Sequence, residues 1–268
     1  MRILLATDGS PQAWGAEVLA EWLSYKLSAK LLALFVRDVR LIRVPELLDL
    51  GALTIPLPVY REELEKALTF KGEAILERIR KSGEEAGLQV ETLLETGLPH
   101  EVILRHARMA DLVVLGRSGA AHGGSFAGLG STVDRVLRAS PTPVLLAPVD
   151  YVELEGAVLG YNASESAVRA MHTLALLAKP LGLRVRVVSV HEDPVQAGAW
   201  ALEAETYLKD QGIATEALAF AGDPAEHLLS LQEPSDLLAL GAPVRRLVLG
   251  STAEYVVRHA VGPVLTAR

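Results

Sequence analysis

The sequence predicts a parallel α/β protein built from two similar domains in tandem. Short apolar runs alternate with amphipathic stretches along its 268 residues, as right-handed crossovers between parallel strands require. The pattern stops near residue 150 and then begins again with matching residues in matching order. In the first half, the fourth apolar run, Asp111 to Leu115, opens onto a loop with five glycines in fourteen residues after Gly116.

Taken in order, Arg2 to Ala6 (RILLA) is the first predicted strand, and Thr7-Asp8-Gly9-Ser10 breaks it. Ser10 is placed to cap a helix and Pro11 to open it, with an apolar face of Trp14, Val18, Leu19, Trp22 and Leu23 running to about Ser28. Lys30 to Val36 is the second strand. The segment Arg37 to Val59 holds three prolines and reads as a loop or short helix over one face. A long amphipathic helix follows, Tyr60 to about Ala86, ended by Gly87. Leu88 to Glu95, Asp111 to Leu115 and Pro143 to Ala147 are the remaining strands, with helices at Pro99 to Met109 and from Ser131 to about Ala139.

Beyond the break at Pro148 to Glu155, Ala157 to Ser164 repeats Leu4 to Ser10, and Leu183 to Val190 parallels the second strand. Gly222-Asp223-Pro224-Ala225-Glu226 repeats Gly97-Leu98-Pro99-His100-Glu101, and Ser235 to Gly241 repeats Ala110 to Gly116. Gly250-Ser251-Thr252 with Pro263-Val264-Leu265 echoes Gly130-Ser131-Thr132 with Pro143-Val144-Leu145. The expected domains are residues 1–150 and 151–268.

Composition narrows the setting. No apolar run reaches the ~20 residues of a membrane span. The absence of cysteine removes disulfides, thiolate metal sites and cysteine catalysis. With a strand pattern directly after Met1-Arg2, it predicts a cytoplasmic protein without a signal peptide. A net charge of −7 argues against nucleic-acid binding. One asparagine and an excess of arginine over lysine suggest a heat-adapted source.

A strand, a glycine-rich loop and Ser131-Thr132 at a helix start form an arrangement that binds phosphate: glycines bring backbone N–H groups close to an anion, and the helix N-terminus adds unpaired donors. Alone, such a loop reads equally as a mobile surface connection. Neither a GxxxxGK[ST] loop nor an opening GxGxxG is present.

Joined to the repeat, these residues make the chain resemble a tandem universal stress protein. Nucleotide-binding members of that family carry an Asp after the first strand and the pattern G-x2-G-x9-G-[ST]. Asp8 in ATDGSP matches the first feature, and Gly116, Gly119 and Gly130-Ser131 match the second with ten intervening residues instead of nine. A glycine-rich loop is expected to absorb the extra residue without moving its ends.

The resemblance implies two doubly wound, five-stranded parallel-sheet domains, Rossmann-like and similar to the adenine-nucleotide alpha-hydrolases. It implies ATP, with Mg, as ligand. Thr7, Asp8 and Val36 are expected at the nucleoside. Gly116, Gly119, Gly130, Ser131 and Thr132 are expected at the phosphates, with Arg117 adding a cation. Asp8 also reads as an Asx-turn or capping residue.

The second half departs at these points. Asn162 stands for Asp8, Val244 for the second glycine, and only eight residues separate Gly241 from Gly250. A degenerate, structural second domain is expected.

Enzyme signatures are poor. His100 and His106 lie on different helix faces, His191 sits at a rim, and Glu62-Glu63-Leu64-Glu65 reads as a solvated first turn. Neither Ser10 nor Ser131 has a triad spacing. The function expected is an ATP-binding stress-response module acting through an unknown protein partner. A slow ATPase or adenylyl-transferring enzyme, and a nucleotide-independent interaction protein, are the alternatives. Finally, Thr142 to Ala147 and Gly262 to Ala267 are last strands and therefore apolar edges. Single-domain relatives pair this strand between subunits, so an intramolecular pseudo-dimer is expected here, with any homodimer of pseudo-dimers using another surface.

Overall fold

Alternation along the first strand sets the layers: Ile3 and Leu5 face one side and Leu4 and Ala6 the other, all four buried. A strand buried on both faces needs helices on both faces. The computed structural model describes residues 1–42, 47–49, 54–117, 129–242, 244–245 and 248–268, with side chains for 1–42, 61–117, 129–242 and 249–268.

The first half runs β1 (Arg2–Thr7), a 3-10 turn (Pro11–Ala13), α1 (Trp14–Lys26), β2 (Lys30–Asp38), α2 (Val39–Ile42), β3 (Leu47–Asp49), β4 (Thr54–Pro56), α3 (Leu57–Glu85), β5 (Val90–Gly97), α4 (Pro99–Ala107), β6 (Leu112–Gly116), α5 (Ser131–Ala139) and β7 (Val144–Ala147). The second half runs β8 (Gly156–Gly160), α6 (Glu165–Leu181), β9 (Arg184–Val190), α7 (Pro194–Asp210), β10 (Thr215–Phe220), α8 (Pro224–Leu231), β11 (Asp236–Gly241), β12 (Val244–Arg245), β13 (Val248–Leu249), α9 (Ser251–His259) and β14 (Val264–Ala267).

Ten strands form one sheet in the order β10-β9-β8-β11-β14-β7-β6-β1-β2-β5. Each half therefore has its first strand in the middle, flanked by its second and fourth, and is parallel throughout. The halves meet at β14 and β7, which pair antiparallel with Leu265 opposite Leu145. These two leucines are equivalent in the repeat, so the local pseudo-twofold axis passes through their pair. The expected pseudo-dimer is present, and the two apolar edges cover each other.

Two apolar layers run unbroken across this seam. One holds α1, α3, α6 and α7 against Leu5, Leu145, Leu159 and Leu265; the other holds α4, α5, α8 and α9 against Leu4, Val113, Leu146 and Val264. Burying one such side chain contributes roughly 1.5–3 kcal/mol.

Three local expectations need correction. β2 continues two residues past Val36, and the segment expected to be irregular contains α2 and the short β3–β4 hairpin. Three-residue strands are too short to show alternation. The long helix begins at Leu57, three residues earlier than expected. Ser10 holds the extended N-cap conformation before Pro11, but its hydroxyl is buried without a partner among the described residues and makes no cap bond. Its counterpart Ser164 does cap, accepting from the Ala167 N–H at 3.3 Å. Among the described residues no helix is long and apolar enough to cross a membrane.

Candidate functional site

In a sheet of this order the crevice for a ligand lies beyond the strand carboxyl ends, where β1 separates from β6. A cavity of about 240 Å³ occupies that place. Thr7 and Asp8 reach it from the end of β1, Val36 and Asp38 from β2, and Leu115 and Gly116 from β6. Gly130, Ser131, Thr132 and Val133 reach it from the start of α5.

The turn after β1 is held by its own side chains. Thr7 Oγ1 donates to the buried Glu17 carboxylate at 2.6 Å and accepts from the Gly9 N–H at 3.0 Å. Glu17 also accepts from the Arg78 guanidinium at 2.5 Å, which ties β1 to both α1 and α3. Asp8 Oδ1 accepts from the Ser10 N–H at 2.9 Å, so Asp8 forms an Asx-turn and lines the cavity at once. Gly9 has φ +65°, and a Cβ there would lie 2.0 Å from Ile75 Cδ1 of α3. A side chain there would have to push the Ile75 side chain aside and hold a left-handed backbone that only glycine adopts without strain.

The opposite wall is the N-terminus of α5. Gly130 is its N-cap, extended at φ −60° and ψ 142°, and among the described residues no side chain caps the first turn. The N–H groups of Ser131 to Val133 have no intrahelical partner by position and carry the positive end of the helix dipole. The loop leaving β6 returns to this point through a hydrogen bond from the Gly130 N–H to the Arg117 carbonyl, at 3.1 Å.

Several lining residues have no signal in the motif. Lys71 and Leu68 enter from α3, Arg40 and Leu41 from α2, and Pro99 and Ile103 from α4. Arg40 is locked onto Asp38, its Nη2 2.6 Å from Oδ2. Burial alone would raise the Asp38 carboxyl, but the hydrogen bonds from Arg40 hold it below the ordinary carboxylate range. Lys71 makes no hydrogen bond or ion pair among the described residues, and its side chain is exposed. Beside Pro99, the His100 imidazole is pushed below its ordinary value by burial and by Arg135, 3.4 Å away.

Arg117 departs from expectation. Its guanidinium turns out of the cavity and donates to the carbonyls of Ala260 and Gly262 in the second half. It follows the parity of Val113 and Leu115, which face α5 and α9. Gly119 lies outside the described residues.

The equivalent region of the second half is built differently. Tyr161 stands in place of Thr7, buried, with its hydroxyl donating to the Glu203 carboxylate of α7. Burial and that carboxylate raise the phenol above its ordinary value. Asn162 Oδ1 accepts from both the N–H and the hydroxyl of Ser164. A Cβ on Gly241 would lie 2.6 Å from the Ala167 nitrogen and from Ser166 Oγ, so the first turn of α6 packs directly on this glycine. Where the first half has its glycine-rich loop, the second has the antiparallel β12–β13 hairpin, with Val244 opposite Leu249.

Comparison with known proteins bears on both halves. The model of the universal stress protein family matches residues 1–148 and again 157–268. A curated universal stress protein of Synechocystis sp. is 29% identical over 286 aligned residues, covering 99% of each chain. The crystal structure of a universal stress protein from Archaeoglobus fulgidus superimposes with a TM-score of 0.75 at 22% identity, covering 100% of this chain and 98% of that one. A functionally unknown protein from Pseudomonas aeruginosa shares the fold over 99% of this chain, with a TM-score of 0.67 at 17% identity. Matched twice by one family model and end to end by a curated member, the chain belongs to the universal stress protein family.

Proposed function

We propose that this protein is an ATP-binding regulatory module with one nucleotide site per chain, in the first half. The observation that carries the reading is the convergence of Thr7, Asp8, Val36, Gly116, Gly130, Ser131 and Thr132 on one cavity at the switch point of the sheet. Its features suit the parts of a nucleotide. The Asp8 carboxylate accepts from hydroxyl or amino groups of a nucleoside, and Val36 with Leu34 and Phe35 offers apolar surface. The first turn of α5 suits phosphate, and Lys71 supplies a cation to the same cavity. Magnesium would arrive on the phosphates, neutralising charge that the residues at hand match only in part.

The second half is read as structural, because the first turn of α6 packs on Gly241 and a hairpin replaces the loop. Calorimetric titration with Mg-ATP is expected to give one site per chain; two equivalent sites would overturn that assignment, and no heat of binding would overturn the function. Gly119→Val is expected to weaken binding at least tenfold, about 1.4 kcal/mol, with the circular dichroism unchanged. Asp8→Asn is expected to weaken it less, since the amide keeps hydrogen bonding.

A further inference from the structure

The seam between the halves is symmetric in its strands but not in what surrounds them. On each side a helix ends, and three residues later a backbone carbonyl is left to satisfy: Thr142 after α5 and Gly262 after α9. The first is satisfied locally, since Ser140 at the end of α5 donates its hydroxyl to the Thr142 carbonyl at 2.6 Å. The equivalent residue after α9 is Ala260, which has no donor. There the Arg117 guanidinium crosses from the first half and donates to both Ala260 and Gly262. The position equivalent to Arg117 is Ala242, buried and without a donor. Both residues follow their strand end in the same way, their N–H groups bonding the Ala147 and Ala267 carbonyls respectively.

A single serine therefore suffices for the carbonyl, yet on one side a partly buried arginine does the work. Its Nε has no partner among the described residues, and burial lowers the guanidinium to about 10, still charged at neutral pH. The cation sits at the C-terminal end of α9, where orphan carbonyls favour it. Its own carbonyl receives the Gly130 N–H, which ties the end of β6 to the start of α5 beside the cavity. The arginine is on the side of the half with the open crevice.

We infer that Arg117 is a positioning residue, clamping the base of the glycine-rich loop to the second half so that nucleotide affinity depends on the packing of both halves. This rests on the nucleotide reading above. By linkage, nucleotide then tightens the contact between halves as much as that contact favours nucleotide.

The test copies the other side of the seam. Arg117→Ala with Ala260→Ser supplies the local serine for the Gly262 carbonyl and removes the clamp; Arg117→Gln, which keeps a donor, serves as a second variant. Mg-ATP affinity is measured at several salt concentrations by calorimetry, and amide hydrogen exchange over residues 260–267 with and without nucleotide. Expected are an affinity about tenfold weaker, an unchanged salt dependence, and nucleotide-induced protection of 260–267 in the wild type alone. Unchanged affinity in both variants overturns the clamp while leaving the nucleotide site standing. A shallower salt dependence overturns it too, since Arg117 would then touch phosphate directly. A wild-type protein that binds no nucleotide removes both readings.

Discussion

Leu265→Ala is the sharpest probe of the shared sheet. Leu265 and its opposite, Leu145, are each 0% exposed, and β14 is held on one side by β7 and on the other by β11. A strand fixed on both sides cannot move in to fill the space. The cost should fall in the upper part of the Leu→Ala range, about 3–5 kcal/mol. For a chain of this size that lowers Tm by roughly 6–20 °C, at ~2–4 °C per kcal/mol. Leu145→Ala should cost a similar amount, because the pseudo-twofold gives it the same surroundings. Paired residues directly opposite across an antiparallel ladder touch, so the double variant should cost less than the sum by about 0.5 kcal/mol or more. Urea unfolding of the four proteins, followed by circular dichroism, gives the cycle. Additivity of the two single changes would refute contact across the seam. A transition that splits, with only the second half shifted, would refute a single cooperative sheet.

Other changes probe the supports of the site. Glu17→Met copies Met171 of the second half; it strands the Thr7 hydroxyl and should destabilise by about 1–3 kcal/mol, held to the lower part because Arg78 is half exposed and regains water. An unchanged urea midpoint would remove the Glu17 network as a stabilising element. Gly15→Ala places a Cβ 2.1 Å from the Pro148 carbonyl oxygen, so despite better helix propensity it should lower Tm; a rise would mean that α1 does not pack on that segment. His100 has a depressed value in the folded state, so below about pH 6.5 the unfolded chain binds the proton first. Its contribution is complete above that pH and is lost as pH falls through the folded value. The Tm drop from pH 7.5 to 5.5 should therefore shrink in His100→Gln, and equal drops would contradict the burial of the imidazole.

Much of the architecture was legible in the sequence because its signals are repeated. Apolar runs such as RILLA and DLVVL have the length and evenness of strands buried on both faces, and the second half supplied each of them again. The seam was legible too, since two apolar last strands in one chain leave two edges to cover. At the site, Asp8, Gly116 and Gly130 stood out through spacing around strand ends. Lys71 did not, because one exposed cation on a long charged helix looks like its solvated neighbours, and Arg40 did not, because it lies in a segment expected to be irregular. Arg117 was legible as a residue but not in its direction: its target is two carbonyls 143 and 145 residues away, and backbone carbonyls leave no trace in a sequence. The β3–β4 hairpin was missed because three residues and a proline carry no period.

The antiparallel seam has a consequence for how the two halves can diverge. In a pair of identical chains, any change at the contact is made twice and its cost doubles. Here each position is changed once, and the two sides already differ: Leu146 faces Val264, whereas the matching place holds Thr266, whose hydroxyl donates to the Val144 carbonyl at 3.3 Å. The contact also does not weaken on dilution, since its two sides are joined covalently. Tethering thus frees each half to drift on its own, one keeping an open crevice while the other packs α6 on Gly241 and carries a hairpin in place of the loop, without either losing its neighbour.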